Sequence, residues 1–288
     1  ALANIRFLGG RVRESMRLVE EAESAYRKLD DDSGIARCHR ARGFAHNSLG
    51  DSAEGRAHLQ KAAERFESLS EGYHELRCRL AIAKTWFVDD ELDKTRRLAG
   101  EAAERASEMG ATRTEAHARI ALGEVARTQG DWAEARRQYD RAGELFRSGG
   151  ARLAVIARLN SALVDIESGD YENARLLFRE LRTDLPAHGF SDRLETLQLG
   201  LAICDVADGD LQEASRRLDE LTARLDDNSY RSRDQAELAE LLADLAAEHV
   251  DSSLATRALG VAAGLWDDLD HTERARRARD RLAEMHEA

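Results

Sequence analysis

The chain has 288 residues, of which 34% are charged, 42% hydrophobic and only 5% aromatic, with a single proline, Pro186. Forty-three basic against 55 acidic residues leave a formal charge of −12, and no basic run or stripe opposes it, which argues against a protein that holds nucleic acid by neutralising phosphates. Few proline-marked turns and few aromatic or β-branched residues argue against a sheet fold, while abundant alanine and leucine supply enough apolar surface to argue against disorder.

Residues 1–8, Ala-Leu-Ala-Asn-Ile-Arg-Phe-Leu, read as the tail of a truncated A helix, so the chain is expected either to be cut from a longer protein or to have its first helix completed by something missing here. No signal-peptide pattern follows, and no apolar run is long enough to cross a bilayer. Three cysteines, Cys38, Cys78 and Cys204, cannot all pair. Together these features predict reduced thiols in a cytoplasmic protein with no membrane partner. Thirty-nine arginines against four lysines suggest a GC-rich bacterial source.

Two kinds of segment then alternate. B-type helices are predicted near 11–30, 52–69, 92–109, 132–148, 171–185, 211–226 and 252–268. A-type helices fall near 34–49, 72–88, 112–129, 152–168, 191–208 and 231–249. Asp31-Asp32-Ser33-Gly34, Ser70-Glu71-Gly72, Gly149-Gly150 and Asp227-Asn228-Ser229 mark turns. A last segment, 271–286, carries both signs of charge and suits a terminal cap with a wet outer face.

The segments repeat about every forty residues. Gly-Asp pairs stand at Gly50-Asp51, Gly130-Asp131, Gly169-Asp170 and Gly209-Asp210, with Gly9-Gly10 and Asp89-Asp90 in the equivalent places. A small residue follows each, at Ser15, Gly55, Thr95, Ala135, Ala174 and Ala214, and Ala255 takes the same place in the last unit. A second column holds Ala22, Ala62, Ala102, Ala142, Leu181, Leu221 and Ala262, and a third holds Tyr26, Phe66, Ala106, Phe146, Leu185, Leu225 and Trp266. Spacings of seven and four put all three columns on one helix face. Small residues admit the neighbouring helix and the bulky ones fill the remaining space. Glycine ends the A helix in the left-handed conformation, and aspartate caps the B helix. One pair cannot bury its own face, so neighbours must stack.

Within 116–149, Leu122-Gly123, Ala126, Gly130-Asp131-Trp132, Ala135, Tyr139 and Ala142 resemble the tetratricopeptide pattern. Asn160, Ala162, Gly169-Asp170-Tyr171, Ala174 and Pro186 extend it. The unit is forty residues rather than about thirty-four, which resembles kinesin-light-chain-type repeats and the arrays that follow kinase or ATPase domains in bacterial signalling proteins. Arg42 stands where leucine is usual, and the second A-to-B turn has Asp89 in place of glycine. The resemblance implies an all-α fold, a right-handed α-solenoid of stacked antiparallel helix pairs over residues 1–288. Residues 1–30 form a partial first repeat, 31–270 six helix-pair repeats and 271–288 a C-terminal capping helix. It also implies that a peptide or protein partner lies in a concave groove lined by A helices.

Carrying the family's groove positions onto this chain gives Arg37, Arg40, Phe44, Arg77, Lys84, His117, Glu124 and Arg127, then Ile156, Leu159, Leu163, Ile166, Ile203 and Val206, then Glu237, Glu240, Asp244 and Glu248. The expected groove runs from basic through apolar to acidic and suits a partner segment with acidic residues at one end and an apolar centre. Against this, helix arginines often pair with neighbouring acids, and the apolar middle could be packing or a contact with another copy of the chain. No phosphate-binding loop, dinucleotide fingerprint, nucleophile elbow or kinase signature occurs, so neither enzyme activity nor a cofactor is expected. His74, Cys78 and Cys38 are spaced as zinc ligands could be, but buried packing cysteines are the simpler reading. Trp132 and Trp266 fall in repeat columns and read as packing residues. Trp86-Phe87 reads as core rather than an exposed anchor. The function expected is an interaction scaffold, the regulatory or recruiting part of a larger bacterial signalling protein. The alternative is a sensor that changes superhelical shape around a short signal peptide.

Overall fold

The computed structural model describes residues 12–149, 153–225, 231–249 and 251–287. The expected helix tail at 1–8, Gly9-Gly10 and the turn at Asp227-Asn228-Ser229 lie outside the described residues.

Fourteen α-helices make up the described residues, which contain no strand. Contacts gather the chain into two compact units, 1–154 and 155–288. The first holds α1 (Val12–Lys28), α2 (Asp32–Ser48), α3 (Ser52–Ser68), α4 (Gly72–Val88), α5 (Leu92–Glu108), α6 (Thr112–Thr128) and α7 (Trp132–Gly149). The second is built from α8 (Ala154–Glu167), α9 (Tyr171–Ala187), α10 (Leu194–Ala207, entered through a 3-10 turn at Ser191–Arg193), α11 (Leu211–Arg224), α12 (Arg233–Glu248), α13 (Ser252–Asp268) and α14 (Thr272–Glu287). In the first unit each helix packs on the one before it; in the second α10 packs on α9, α11 on α10, α13 on α12 and α14 on α13; and the A helices α4 and α6, or α10 and α12, also touch. This is a tetratricopeptide-like α-solenoid.

The turns show why the chain folds back at these places. Gly50, Gly130, Gly169 and Gly209 have φ of 79°, 74°, 83° and 81°, a region that costs a side chain energy and glycine little. The aspartate after each accepts a backbone N–H of the next helix: Asp51 from Glu54 at 3.2 Å, Asp131 from Glu134 at 3.1 Å, Asp170 from Asn173 at 3.3 Å and Asp210 from Glu213 at 3.1 Å. The second turn departs from the expected register by one residue. Asp90, not Asp89, takes the left-handed φ of 57°, and Glu91 stands at the cap position without a side-chain cap bond.

The columns meet in the core. Thr95, Ala135, Ala174, Ala214 and Ala255 are completely buried, as are Phe66, Ala106, Leu185 and Trp266. Room for bulky B-helix side chains comes from glycines on A helices. A Cβ on Gly123 would lie 2.5 Å from Tyr139 Cε1, and one on Gly200 would lie 2.4 Å from the Phe178 ring.

A further column joins A to B helices electrostatically. Glu75, 1% exposed, accepts from Arg105 at 2.9 and 2.6 Å and also from Arg79. Forty residues on, buried Glu115 faces Arg119 at 3.4 Å and Arg141 at 3.9 Å. In the second unit Asp205 is held by Arg175 and Arg217, both at 2.5 Å. A buried carboxylate is tolerable only when paired in this way.

Candidate functional site

Three A helices of the first unit present one face to a cavity of about 260 Å³. Phe44 enters from α2; Tyr73, Arg77, Leu80, Ala81 and Lys84 from α4; Arg113, Thr114 and His117 from α6. On α4 the spacings 73, 77, 80/81 and 84 follow one helical stripe. Four expected groove residues, Phe44, Arg77, Lys84 and His117, therefore line one cavity. Arg40 lies on α2 within electrostatic reach of Arg77, and Arg37 on the same helix within reach of Arg40 and His74.

Positive charge dominates this face. Among the described residues no carboxylate pairs with Arg37, Arg77, Lys84 or Arg113, although Arg79 and Arg119 on the same helices each grip one. The Arg77 guanidinium instead sits 5.7 Å from the centre of the Tyr73 ring. Arg40 is 3.1 Å from His74 Nδ1 and 5.7 Å from the centre of the Phe66 ring. His117 packs edge-on against Phe146, ring centres 5.2 Å apart. Burial, reinforced by the charges of Lys84, Arg113 and Arg77, pushes the His117 imidazole down to about 4, so it is neutral near pH 7 and offers one donor and one acceptor. Phe44 and Tyr73 are 37% and 43% exposed. They give the cavity an apolar rim beside its cations.

The rest of the expected groove is corrected by the structure. Leu159 and Leu163, 3% and 1% exposed, belong to the core of the second unit, as do Ile166, Ile203 and Val206. Ile156 is partly buried against the same core. These side chains offer no binding surface because A helices also bury apolar residues against their own B helices. Arg127 is 6% exposed, and Glu124 on the same helix is half-buried. The acidic end is neutralised by the last helices: Glu237 pairs with Arg233 at 2.7 Å and Arg274 at 3.0 Å, Glu240 accepts from Trp266 Nε1 at 3.1 Å, and Asp244 pairs with Arg281. Only Glu248 of this set is exposed without a salt bridge among the described residues.

A larger depression of about 480 Å³ lies between α11 and α13 of the second unit. Its charges satisfy one another, Arg257 with Asp219 at 2.5 Å and Arg231 with Asp268 at 2.7 Å, which sets it apart from the unpaired cations of the first. Tyr73 and Arg113 were missed in the sequence, yet the repeat marks them: they are forty apart, one turn before Arg77 and His117. Trp86 is half-buried, with Arg56 and Lys94 over its ring at 3.8 and 4.2 Å.

The zinc spacing holds no ligand cluster. Cys38 and Cys78 are buried free thiols, burial pushes Cys78 up to about 12, and His74 faces Arg40. Among the described residues no group of three or more His, Cys, Asp or Glu side chains could hold a metal ion. A stack unforeseen in the sequence joins α2 to α3: His58 lies between His39 and His46 with ring centres 5.4 and 5.5 Å away, and His39 Nδ1 is 3.1 Å from His58 Nδ1. No helix among the described residues is long and apolar enough to cross a membrane.

Paired helices returning every forty residues, with a cavity on the A-helix face, define a protein of the tetratricopeptide-like helical-repeat class. The model of the soluble NSF attachment protein (SNAP) family matches residues 51–259, and the chain belongs to that family. Among solved structures, the apo form of RapI is similar over 97% of this chain and 96% of that one, with 14% identity and a TM-score of 0.73. NprR in complex with its cognate peptide NprX is similar over 100% and 86%, with 14% identity and a TM-score of 0.62. A signal transduction ATPase with numerous domains and a tetratricopeptide repeat sensor, from Pyrococcus horikoshii, is similar over 94% of this chain and 42% of that one, with 15% identity and a TM-score of 0.64. At these identities the likeness is one of fold. Comparison with curated protein sequences finds no match.

Proposed function

We propose that this chain is a non-catalytic interaction module that binds a peptide or partner segment on the A-helix face of its first unit. The observation that carries the reading is the cluster of cations without carboxylate partners beside exposed Phe44 and Tyr73, in a chain whose other helix arginines are widely paired. Exposed cations that lack a carboxylate beside an exposed apolar rim complement a segment that carries both acidic and apolar side chains. Support also comes from the peptide-bound NprR structure. The sensor-bearing ATPase, of which this chain spans 42%, supports a regulatory or recruiting role beside a catalytic domain in a larger signalling protein. A cavity of about 260 Å³ is below the ~300 Å³ at which drug-sized pockets begin. It fits one or two anchoring side chains better than an enclosed peptide, which favours an open scaffold over the shape-changing sensor.

The test probes the purified chain with an array of short, terminally blocked peptides of graded charge and hydropathy. A subset should bind, and Arg37→Glu/Arg40→Glu/Arg77→Glu should abolish that binding while circular dichroism remains helical. Arg77→Gln alone, which removes the charge without reversing it, covers the case in which the triple variant fails to fold. The same peptides captured equally by either folded variant would remove the reading.

A further inference from the structure

The cavity between α2, α4 and α6 specifies more than the presence of a partner. Arg77 and Lys84 line it from α4 and Arg113 from α6. Three cations exceed what one carboxylate can satisfy, since a guanidinium alone can hold both oxygens of a single carboxyl group. At the same time the wall formed by Phe44, Leu80 and Ala81 is apolar, and the Tyr73 ring stands beside it. A purely ionic ligand would leave that wall wet, and a purely apolar one would leave the cations desolvated and unpaired.

We infer that the cavity takes an internal stretch of a partner polypeptide in which two or more carboxylates flank one large apolar side chain. The apolar group seats against Phe44, Leu80 and Ala81. The carboxylates on either side reach Arg77 and Lys84 in one direction and Arg113 in the other. Neutral His117 between them donates to or accepts from the bound chain. This inference rests on the proposed binding role of the A-helix face and adds the chemistry of the ligand.

His117 provides the local readout. The charged groups facing it are Lys84 and Arg77 from α4 and Arg113 from its own helix, and α7 offers it the Phe146 ring. Entering carboxylates would offset those cations and raise the imidazole from its low free value. The probes are four acetylated, amidated peptides: a leucine between glutamates, the same peptide with glutamines, with glycine for leucine, and with phosphoserines for the glutamates. Binding is followed by fluorescence anisotropy, and the His117 ring protons, assigned by their loss in His117→Gln, are followed by NMR against pH. The glutamate–leucine peptide should bind, the glutamine and glycine forms should bind about tenfold or more weakly, and His117 should titrate at higher pH when the first peptide is bound. Lys84→Gln/Arg113→Gln, which keeps the side-chain lengths similar, should remove most of the binding and the His117 shift. Equal binding of the glutamine peptide overturns the inference, as does a phosphoserine peptide bound about tenfold or more tightly, which would make this a phosphate pocket. Peptides lost in the Arg37/Arg40/Arg77 variant but indifferent to Lys84, Arg113 and His117 would sink this inference alone. No peptide bound at all would sink the general reading with it.

Discussion

Gly123 has no side chain because the Tyr139 ring occupies the place of one, and at 1% exposure that ring has nowhere to retreat. Gly123→Ala should therefore cost about 1–3 kcal/mol, the usual range for overpacking, measured as a lower urea midpoint. Gly100 on α5 is the control: nothing lies within 4 Å of its missing Cβ, so Gly100→Ala should be neutral or stabilise by up to ~1 kcal/mol through helix propensity. Glu75 tests a different force. Burial alone would raise its carboxyl, but Arg105 and Arg79 donating to it hold it below the usual carboxylate range. Glu75→Gln removes the charge that these arginines share and should destabilise by about 1–3 kcal/mol. An unchanged midpoint would show that the arginines simply turn to solvent. These residue-scale features divide by legibility. The Gly123–Tyr139 pair lies within the tetratricopeptide pattern and could be read. Glu75 and Glu115 also recur forty apart, but a glutamate in a helix usually means solvent, and only packing shows that these two are buried.

At the scale of helices, the forty-residue columns located the B helices because each column answers one steric need. What the columns left open was which A-helix stripe faces a partner. Spacing places Leu159 and Leu163 on the same stripe as Arg77 and Lys84, while the structure buries the first two and exposes the second two. The acidic stretch Glu237–Glu248 misled for a related reason: its partners, Arg274 and Arg281, belong to α14, which sequence reading treated as a wet cap. That helix buries Ala275 and Ala278 fully, and Leu282 and Met285 pack only partly on the core. Its docking therefore leans on Arg274–Glu237, Arg281–Asp244 and Arg279–Asp267, pairs that salt screens. Limited proteolysis should cut within 272–287 faster at high ionic strength, and Arg274→Ala/Arg281→Ala should give that rate already at low salt. Cleavage indifferent to salt in both proteins would assign the docking to the alanine contacts instead.

Across the whole molecule, four histidines with depressed proton affinity, His39, His58, His74 and His117, all fall in the first unit. For each, burial is the leading cause, and nearby cations add to it. A histidine whose folded value lies below its unfolded value of about 6.5 stabilises the fold fully above that pH and loses the contribution as pH falls toward the folded value. The urea midpoint should thus fall between pH 7.5 and 5.5, and His58→Gln, which dissolves the stack with His39 and His46, should make the fall shallower. A midpoint that rises on acidification would contradict the buried, neutral assignment.

The most direct test of the central claim is hydrogen–deuterium exchange on the chain with and without a bound acidic peptide. Slowed exchange is expected in α2, α4 and α6, the helices that line the cationic cavity, and little change in α11 and α13. Protection confined to the B helices or to the second unit would place the partner elsewhere and contradict it.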